Sequence, residues 1–158
     1  MFIRYDDEEF ESVDAVAIMK GAPEYQEIKG LVRFYQNDGG VYVVASITGL
    51  PKGDKKCGSP IFAMHIHNGS SCENVQGQNA FPFSGTHYNP TLCSHPYHAG
   101  DLPPLFTANG VAMSSVFTNR FTVSEIIGKT IVIHEGIDDF FTQPAGNSGK
   151  KIACGIIQ

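Results

Sequence analysis

Short runs of hydrophobic residues, rich in Val, Ile, Phe and Tyr, alternate along this chain with segments rich in Gly, Pro, Asn and Asp. Short apolar runs bounded by such turn-forming residues are typical of β-strands. The pattern predicts seven strands, at residues 15–19, 28–35, 41–48, 61–67, 111–117, 130–134 and 152–157. The stretch Asn37-Asp38-Gly39-Gly40 predicts a hairpin turn. Residues 122–127 fit either a further short strand or a single helical turn.

Residues 68–110 break this pattern, because their hydrophobic residues are not regularly spaced over more than a few positions. A loop of this length inside a compact domain is usually functional or disordered. It holds His87, His95, His98, Cys72 and Cys93, which favours function over disorder. We therefore predict an all-β fold, an antiparallel barrel or sandwich of seven to eight strands with one long loop. Residues 15–158 form its single domain, and residues 1–14 form an acidic, solvated and partly frayed N-terminal segment.

Composition narrows the classes of function. The 158 residues are 42% hydrophobic and 17% charged, with a formal net charge of −5. Because its only basic runs are the pairs Lys55-Lys56 and Lys150-Lys151, this acidic chain is not expected to bind nucleic acid. No apolar run approaches the roughly 20 residues of a membrane-spanning helix. The acidic start lacks the basic and apolar parts of a secretory signal. We therefore expect a cytoplasmic protein if the chain is complete, and an exported one if it is processed or truncated.

The histidines fall into clusters that suit metal binding. His65 and His67 are two residues apart in a predicted strand, so both imidazoles project from one face of the sheet. His95 and His98 are separated by Pro96, so neither a strand nor a regular helix suits them. A loop could wrap both around a metal, with Asp101 as a carboxylate ligand of the kind that zinc accepts. A polar surface loop is the plain alternative for this second cluster.

His87 lies between the two clusters, and an imidazole that has lost both protons can bind a metal through each nitrogen. An all-nitrogen set favours copper, and a set of imidazoles with one carboxylate suits a closed zinc site. The spacing therefore predicts a copper site of His65, His67, His87 and His134. It predicts a zinc site of His87, His95, His98 and Asp101, with His87 shared between the two metals.

Five strings of the sequence resemble, in type and order, the bacterial form of the copper–zinc superoxide dismutase family: FAMHIHNGSSC, SGTHYNP, HPYHAGDLP, VIHEGIDDF and QPAGNSGKKIACGII. The resemblance implies a Greek-key barrel that converts superoxide to oxygen and hydrogen peroxide with copper and zinc as cofactors. It implies the same ligand sets, with His87 as a catalytic bridging imidazolate and Asp138 as the carboxylate that orients metal-bound imidazoles. It also implies a Cys72–Cys154 disulfide, and it leaves a homodimer as one option for the assembly.

Two features stand apart from the family pattern. Family members usually carry an arginine three residues before the final cysteine, where it guides and holds superoxide, and here that catalytic position is Lys151. Lysine keeps the charge but loses the two-pronged donor, so we predict that steering is retained and orientation is weakened. We also predict a second disulfide, between Cys57 and Cys93. The alternatives are a non-catalytic copper- and zinc-binding protein of the same fold, which Lys151 suggests, and a purely structural β-sandwich.

Overall fold

The computed structural model describes residues 12–54, 56, 58 and 60–158. Within these ranges the chain forms nine strands and one short helix, with single 3-10 turns at Pro23–Tyr25 and Pro82–Ser84. The elements are β1 (Ala15–Gly21), β2 (Lys29–Asn37), β3 (Gly40–Thr48), β4 (Ile61–Phe62), β5 (Met64–His67), β6 (Leu105–Ala108), β7 (Val111–Thr118), α1 (Val123–Ile126), β8 (Thr130–His134) and β9 (Lys151–Ile156). Residues 1–11 and Cys57 lie outside the described residues, so the predictions about them stay predictions.

The strands form one antiparallel sheet in the order β4-β6-β7-β3-β2-β1-β9-β8-β5. Its two outermost strands, β4 and β5, are separated in the chain only by Ala63. The Ala63 N–H donates to the carbonyl oxygen of Gly136 at 2.8 Å, and the Ala63 carbonyl accepts from the His134 N–H at 2.9 Å. The sheet therefore nearly closes on itself, which confirms the predicted all-β antiparallel barrel.

The predicted count of seven to eight strands was wrong, since the structure has nine within the described residues. The run predicted at 61–67 is two strands, because the chain changes its partner from β6 to β8 at Ala63. The strand β6 lies inside the predicted loop, and its four residues are too few to show a period. Residues 122–127 form the helical turn α1, where the Glu125 carboxylate accepts from the Thr122 N–H at 2.6 Å and from its hydroxyl at 2.9 Å.

Alternate residues of the central strands face the barrel interior, as the period of two requires. On β1, for example, Ala15, Ala17 and Met19 are buried in the main core. The strands β5 and β8 differ, because every one of their residues is buried. Their inner faces contribute to the core and their outer faces are covered by the long loop. The candidate site therefore lies between the barrel wall and that loop.

The predicted disulfide between Cys72 and Cys154 is confirmed, with a Cα–Cα distance of 5.7 Å. It joins the long loop to β9 at a small second cluster of buried residues that includes Phe81 and Val132. Cys93 is exposed and has no disulfide partner among the described residues. Its predicted partner, Cys57, is outside them, so the second disulfide stays a prediction.

No helix in the part of the chain that the structure describes is long and apolar enough to cross a membrane.

Candidate metal centre

The outer faces of β5 and β8 carry three buried histidines. On β5, Met64 and Ile66 belong to the main core, so His65 and His67 lie on the opposite face of the strand, under the loop. His134 ends β8, next to a shift of register in its pairing with β9. These three histidines are at most 4% exposed. Their imidazoles therefore meet in a space that the barrel wall and the loop largely shield from solvent.

The free edge of β5 positions two loop residues of the site through backbone hydrogen bonds. The Ile66 N–H donates to the Gly100 carbonyl at 2.9 Å, and the Ile66 carbonyl accepts from the Tyr88 N–H at 2.8 Å. These bonds bring His87, which precedes Tyr88, and Asp101, which follows Gly100, beside the histidines of β5. Glycine is required at position 100, because a Cβ there would overlap the Ile66 carbonyl oxygen.

The main chain of His95 is held by the segment that follows β8. The side-chain amide of Gln143 accepts from the His95 N–H at 3.0 Å and donates to the His95 carbonyl at 2.6 Å. The His98 N–H donates to Asp101 at 3.0 Å. Sequence reasoning missed Gln143, since a glutamine in a loop carries no sign of which backbone it will bind.

The predicted ligands form two groups that share His87. In each group, one ligand atom per residue lies within 4.8 Å of all the others. The first group is His65, His67, His87 and His134, and the second is His87, His95, His98 and Asp101. The structure therefore brings together both predicted sets, and every member is buried.

Carbonyl oxygens fix two rings of the first group. His67 Nδ1 donates to the Gly85 carbonyl at 2.9 Å, and His134 Nδ1 donates to the Gly149 carbonyl at 3.1 Å. A carbonyl can only accept, so these two Nδ1 atoms carry the protons of neutral imidazoles. The two Nε2 atoms are then unprotonated, and they face each other across 3.2 Å. Two lone pairs this close favour a cation between them.

The Asp138 carboxylate accepts hydrogen bonds from one histidine of each group, on the side of each ring that faces away from the centre. Its Oδ2 accepts from His65 Nε2 at 2.7 Å, and its Oδ1 accepts from His95 Nε2 at 2.8 Å and from the Phe140 N–H at 2.8 Å. Asp138 is 1% exposed. Each ring therefore turns its other nitrogen, Nδ1, towards the centre. Gly146, at φ +65°, packs against this pair, because a Cβ there would overlap Asp138 Oδ1.

Three buried ring nitrogens that face the centre have no hydrogen-bond partner among the described residues: His65 Nδ1, His87 Nε2 and His95 Nδ1. The last lies 3.1 Å from Asp101 Oδ2 without the angle of a hydrogen bond. Buried polar atoms are normally paired, so three unpaired nitrogens in one place indicate a missing ligand. Four nitrogens suit copper, and three nitrogens with a carboxylate suit zinc. The residues present therefore fit two metal ions.

Burial sets the protonation of these groups. It lowers the pKa of His65 and of His67, and it lowers the pKa of His134 to about 3. Burial by itself raises the pKa of Asp101 and Asp138, but hydrogen bonds from the neighbouring histidines hold both pKa values below the usual range. Neutral imidazoles and ionised carboxylates are the forms that bind metals. The centre is therefore ready to bind cations at neutral pH.

Lys151 begins β9 and is half-buried beside the first group. Its ammonium donates to the Phe81 carbonyl at 3.3 Å, the Ser84 hydroxyl at 2.7 Å and the Gly85 carbonyl at 3.0 Å. The same Gly85 carbonyl accepts from His67, so the lysine contacts the support of a candidate ligand. Burial lowers the pKa of Lys151.

Comparisons with known proteins agree with this geometry. A family model described as copper/zinc superoxide dismutase (SODC) matches residues 28–157. The superoxide dismutase (Cu-Zn) of Photobacterium leiognathi is 32% identical over 142 residues, 82% of this chain and 78% of that protein. The protein of the same name from Legionella pneumophila is 34% identical over 137 residues, 82% of this chain and 77% of that protein. A solved structure, the Cu/Zn superoxide dismutase from Brucella abortus, has the same fold, with a TM-score of 0.75 over 92% of this chain and 100% of that one at 24% identity.

Proposed function

This chain belongs to the copper/zinc superoxide dismutase family, and from that premise we propose that it converts superoxide to oxygen and hydrogen peroxide with copper and zinc as cofactors. The pair of buried ligand groups that share His87 carries the proposal. All six histidines of the chain belong to these groups. Such a concentration of imidazoles has no use in a purely structural β-sandwich.

In this proposal copper binds the first group and zinc binds the second. The first group offers four imidazoles, and nitrogen ligands suit Cu(II). The second group adds the carboxylate of Asp101, and four protein ligands in a closed site are typical of structural zinc. The hydrogen bonds to Asp138 and to two backbone carbonyls support the assignment, because the second ring nitrogen of a ligating histidine usually has such a partner.

When bound, copper supplies one-electron transfer from one superoxide and to another, and zinc supplies a fixed positive charge. His87 serves both groups. Its Nδ1 lies 2.7 Å from Asp101 in the second group, and its Nε2 is the unpaired atom that faces the first. We assign to His87 Nε2 a proton that it takes up from solvent in the half of the cycle in which this nitrogen is not a ligand, and gives to the peroxide in the other half. The second proton of hydrogen peroxide comes from solvent. The second group keeps the ring in place while this proton moves.

Lys151 draws the anionic substrate towards this centre. The net charge of −5 opposes the approach of superoxide, so a local positive potential has to outweigh it. Lys150 and Lys151 line an open depression of about 1300 Å³ next to the loop, which Glu24 and Glu135 also border and which none of the candidate ligands lines. All three N–H donors of the Lys151 ammonium have acceptors in the loop. Lys151 therefore attracts superoxide by charge rather than by a hydrogen bond. This agrees with the prediction that a lysine at this position still steers superoxide to the site but orients it less well than an arginine.

The test is stopped-flow decay of superoxide by protein reconstituted with one copper and one zinc. We expect decay well above that of the metal-free protein, and slower at about 150 mM salt than at about 10 mM, where the Debye lengths are about 8 and 30 Å. No decay above the metal-free level, with both metals shown to be bound, would favour the non-catalytic alternative.

Two charge-matched variants separate local steering from net charge. Lys151→Gln should lower the rate about tenfold and flatten its dependence on salt, because a focused potential raises association rates by about 10 to 10³. Lys29→Gln removes the same charge from the exposed end of β2 and should change neither quantity. Equal effects of the two substitutions would rule out a steering role for Lys151.

We further propose that the chain forms a homodimer through the outer face of β6 and β7. Phe106 on β6 is 70% exposed and Met113 on β7 is 78% exposed. Ile61 on β4 pairs with Phe106 and extends the same face. Adjacent exposed apolar side chains often mark an association surface. Sedimentation should give a dimer for the native chain and a monomer for Met113→Lys, and a monomeric native chain would contradict this part of the proposal.

A further inference from the structure

Arg120 lies just after β7 and reaches the loop that carries the second ligand group. Its Nη1 donates two N–H groups to three carbonyl oxygens, those of Pro96 at 3.1 Å, His98 at 3.3 Å and Asp101 at 3.3 Å, so that two of the carbonyls share one N–H. Two of these carbonyls belong to members of the second group, and the third belongs to the residue after His95. Three members of the second group, His95, His98 and Asp101, do not belong to the first group. The Arg120 Nη1 contacts the backbone of the last two and of the residue that follows His95.

The three carbonyl oxygens together form a site that favours a positively charged group. Their oxygens are the negative ends of peptide dipoles, and they converge on one point, so they repel one another unless a positive group lies between them. A guanidinium is planar, stays charged at all relevant pH values and offers several donors in a fixed geometry. The carbonyl oxygens of the loop surround the Arg120 guanidinium much as carbonyl ligands surround a bound cation.

The backbone of Arg120 is anchored to the barrel on both sides. It follows β7, which pairs with β3 and β6, and it precedes Phe121, whose side chain is 3% exposed in the main core. Its position is therefore fixed by the barrel rather than by the loop. The loop residues 96–101 have little regular secondary structure of their own to fix them.

We infer that Arg120 is a positioning residue for the zinc group, which holds the backbone of residues 96–101 in the conformation that binds the metal. This inference rests on the proposed assignment of zinc to His87, His95, His98 and Asp101. Arg120 acts through the backbone and contacts none of the ligand atoms. The first group should be less sensitive to it, because no carbonyl of His65, His67 or His134 contacts the guanidinium and only His87 belongs to both groups.

The experiment compares zinc and copper affinity of the full chain with those of Arg120→Ala, Arg120→Lys and Arg33→Ala. Competition with a chromophoric chelator gives both affinities, and the visible spectrum of cobalt in the zinc group reports its geometry. Arg120→Ala should lose about tenfold in zinc affinity, the lower end of what loss of an outer support costs, and copper affinity should fall by a smaller factor, through the shared His87. Arg120→Lys should recover part of the loss and of the cobalt spectrum. Arg33→Ala, which removes the same charge from β2, should match the native chain.

Amide hydrogen exchange of residues 97–101 in the metal-free protein gives a second readout that does not depend on metal assignment. Exchange there should be faster in Arg120→Ala and native-like in Arg33→Ala. Unchanged zinc affinity and exchange in Arg120→Ala would overturn the inference, and so would equal losses of zinc and copper. If the native chain binds no zinc, the proposed function fails, and faster exchange in Arg120→Ala would still establish that the arginine orders the loop.

Discussion

Replacing Asp138 by Asn should weaken the first ligand group more than the second. The two oxygens of Asp138 have unequal surroundings, because Oδ1 accepts from both His95 Nε2 and the Phe140 N–H, whereas Oδ2 accepts only from His65 Nε2. An asparagine has one oxygen and one NH2 group. Its oxygen will take the position with two donors, so its NH2 will face the His65 N–H.

The expected loss of copper affinity follows from the loss of the hydrogen bond between Asp138 and His65. A hydrogen bond to a charged group contributes about 1.5–3 kcal/mol, and the bond to His65 is buried and lost. At about 1.4 kcal/mol for each factor of ten, copper affinity should fall roughly 10- to 100-fold. The His95 bond survives with a neutral acceptor, so zinc affinity should fall by less than tenfold.

Chelator competition measures both affinities, and NMR of the metal-free protein should show loss of the protected His65 Nε2 proton. Asp139→Asn is the matched control. Its carboxylate accepts from the Phe141 and Thr142 main chain and contacts no histidine, so both metals should bind as in the native chain. A larger loss of zinc than of copper affinity in Asp138→Asn would refute the reasoning about which oxygen is retained.

Three further outcomes follow from the same structure. Gly146→Ala should weaken the zinc group and destabilise the fold by about 1–2 kcal/mol, because alanine is strained at φ +65° and its Cβ would overlap Asp138; native-like denaturation would contradict this. Reducing the Cys72–Cys154 disulfide, with its sequence separation of 82, should lower the free energy of unfolding by about 4 kcal/mol in urea titrations, and a loss below about 1 kcal/mol would be inconsistent with closure of so long a loop. The metal-free protein should lose stability as the pH falls below about 6.5, because unfolded histidines then take up protons while His134, with a pKa of about 3, stays neutral when folded. A urea midpoint that does not fall between about pH 7 and pH 5 would contradict that linkage.

Much of the candidate site was predictable from local pattern. His65 and His67 share a face because side chains alternate along a strand, and that alternation needs no knowledge of the fold. The spacing of His95, His98 and Asp101 around a proline indicated a loop with three ligands. The resemblance to a family then predicted the disulfide between Cys72 and Cys154 and the place of Asp138. These features depend on residue type and short-range spacing, which the sequence states directly.

The tertiary structure alone decided how the segments meet. The strand predicted at 61–67 divides at Ala63 because the sheet closes there, and closure depends on strands far apart in the chain. His87 and Asp101 reach the site because their segments bind the free edge of β5, an edge that exists only once the barrel has formed. Arg120 and Gln143 support the loop through backbone carbonyls and amides, which every residue carries and no motif marks. Local sequence therefore identified the candidate ligands, whereas long-range hydrogen bonding decided the geometry that holds them.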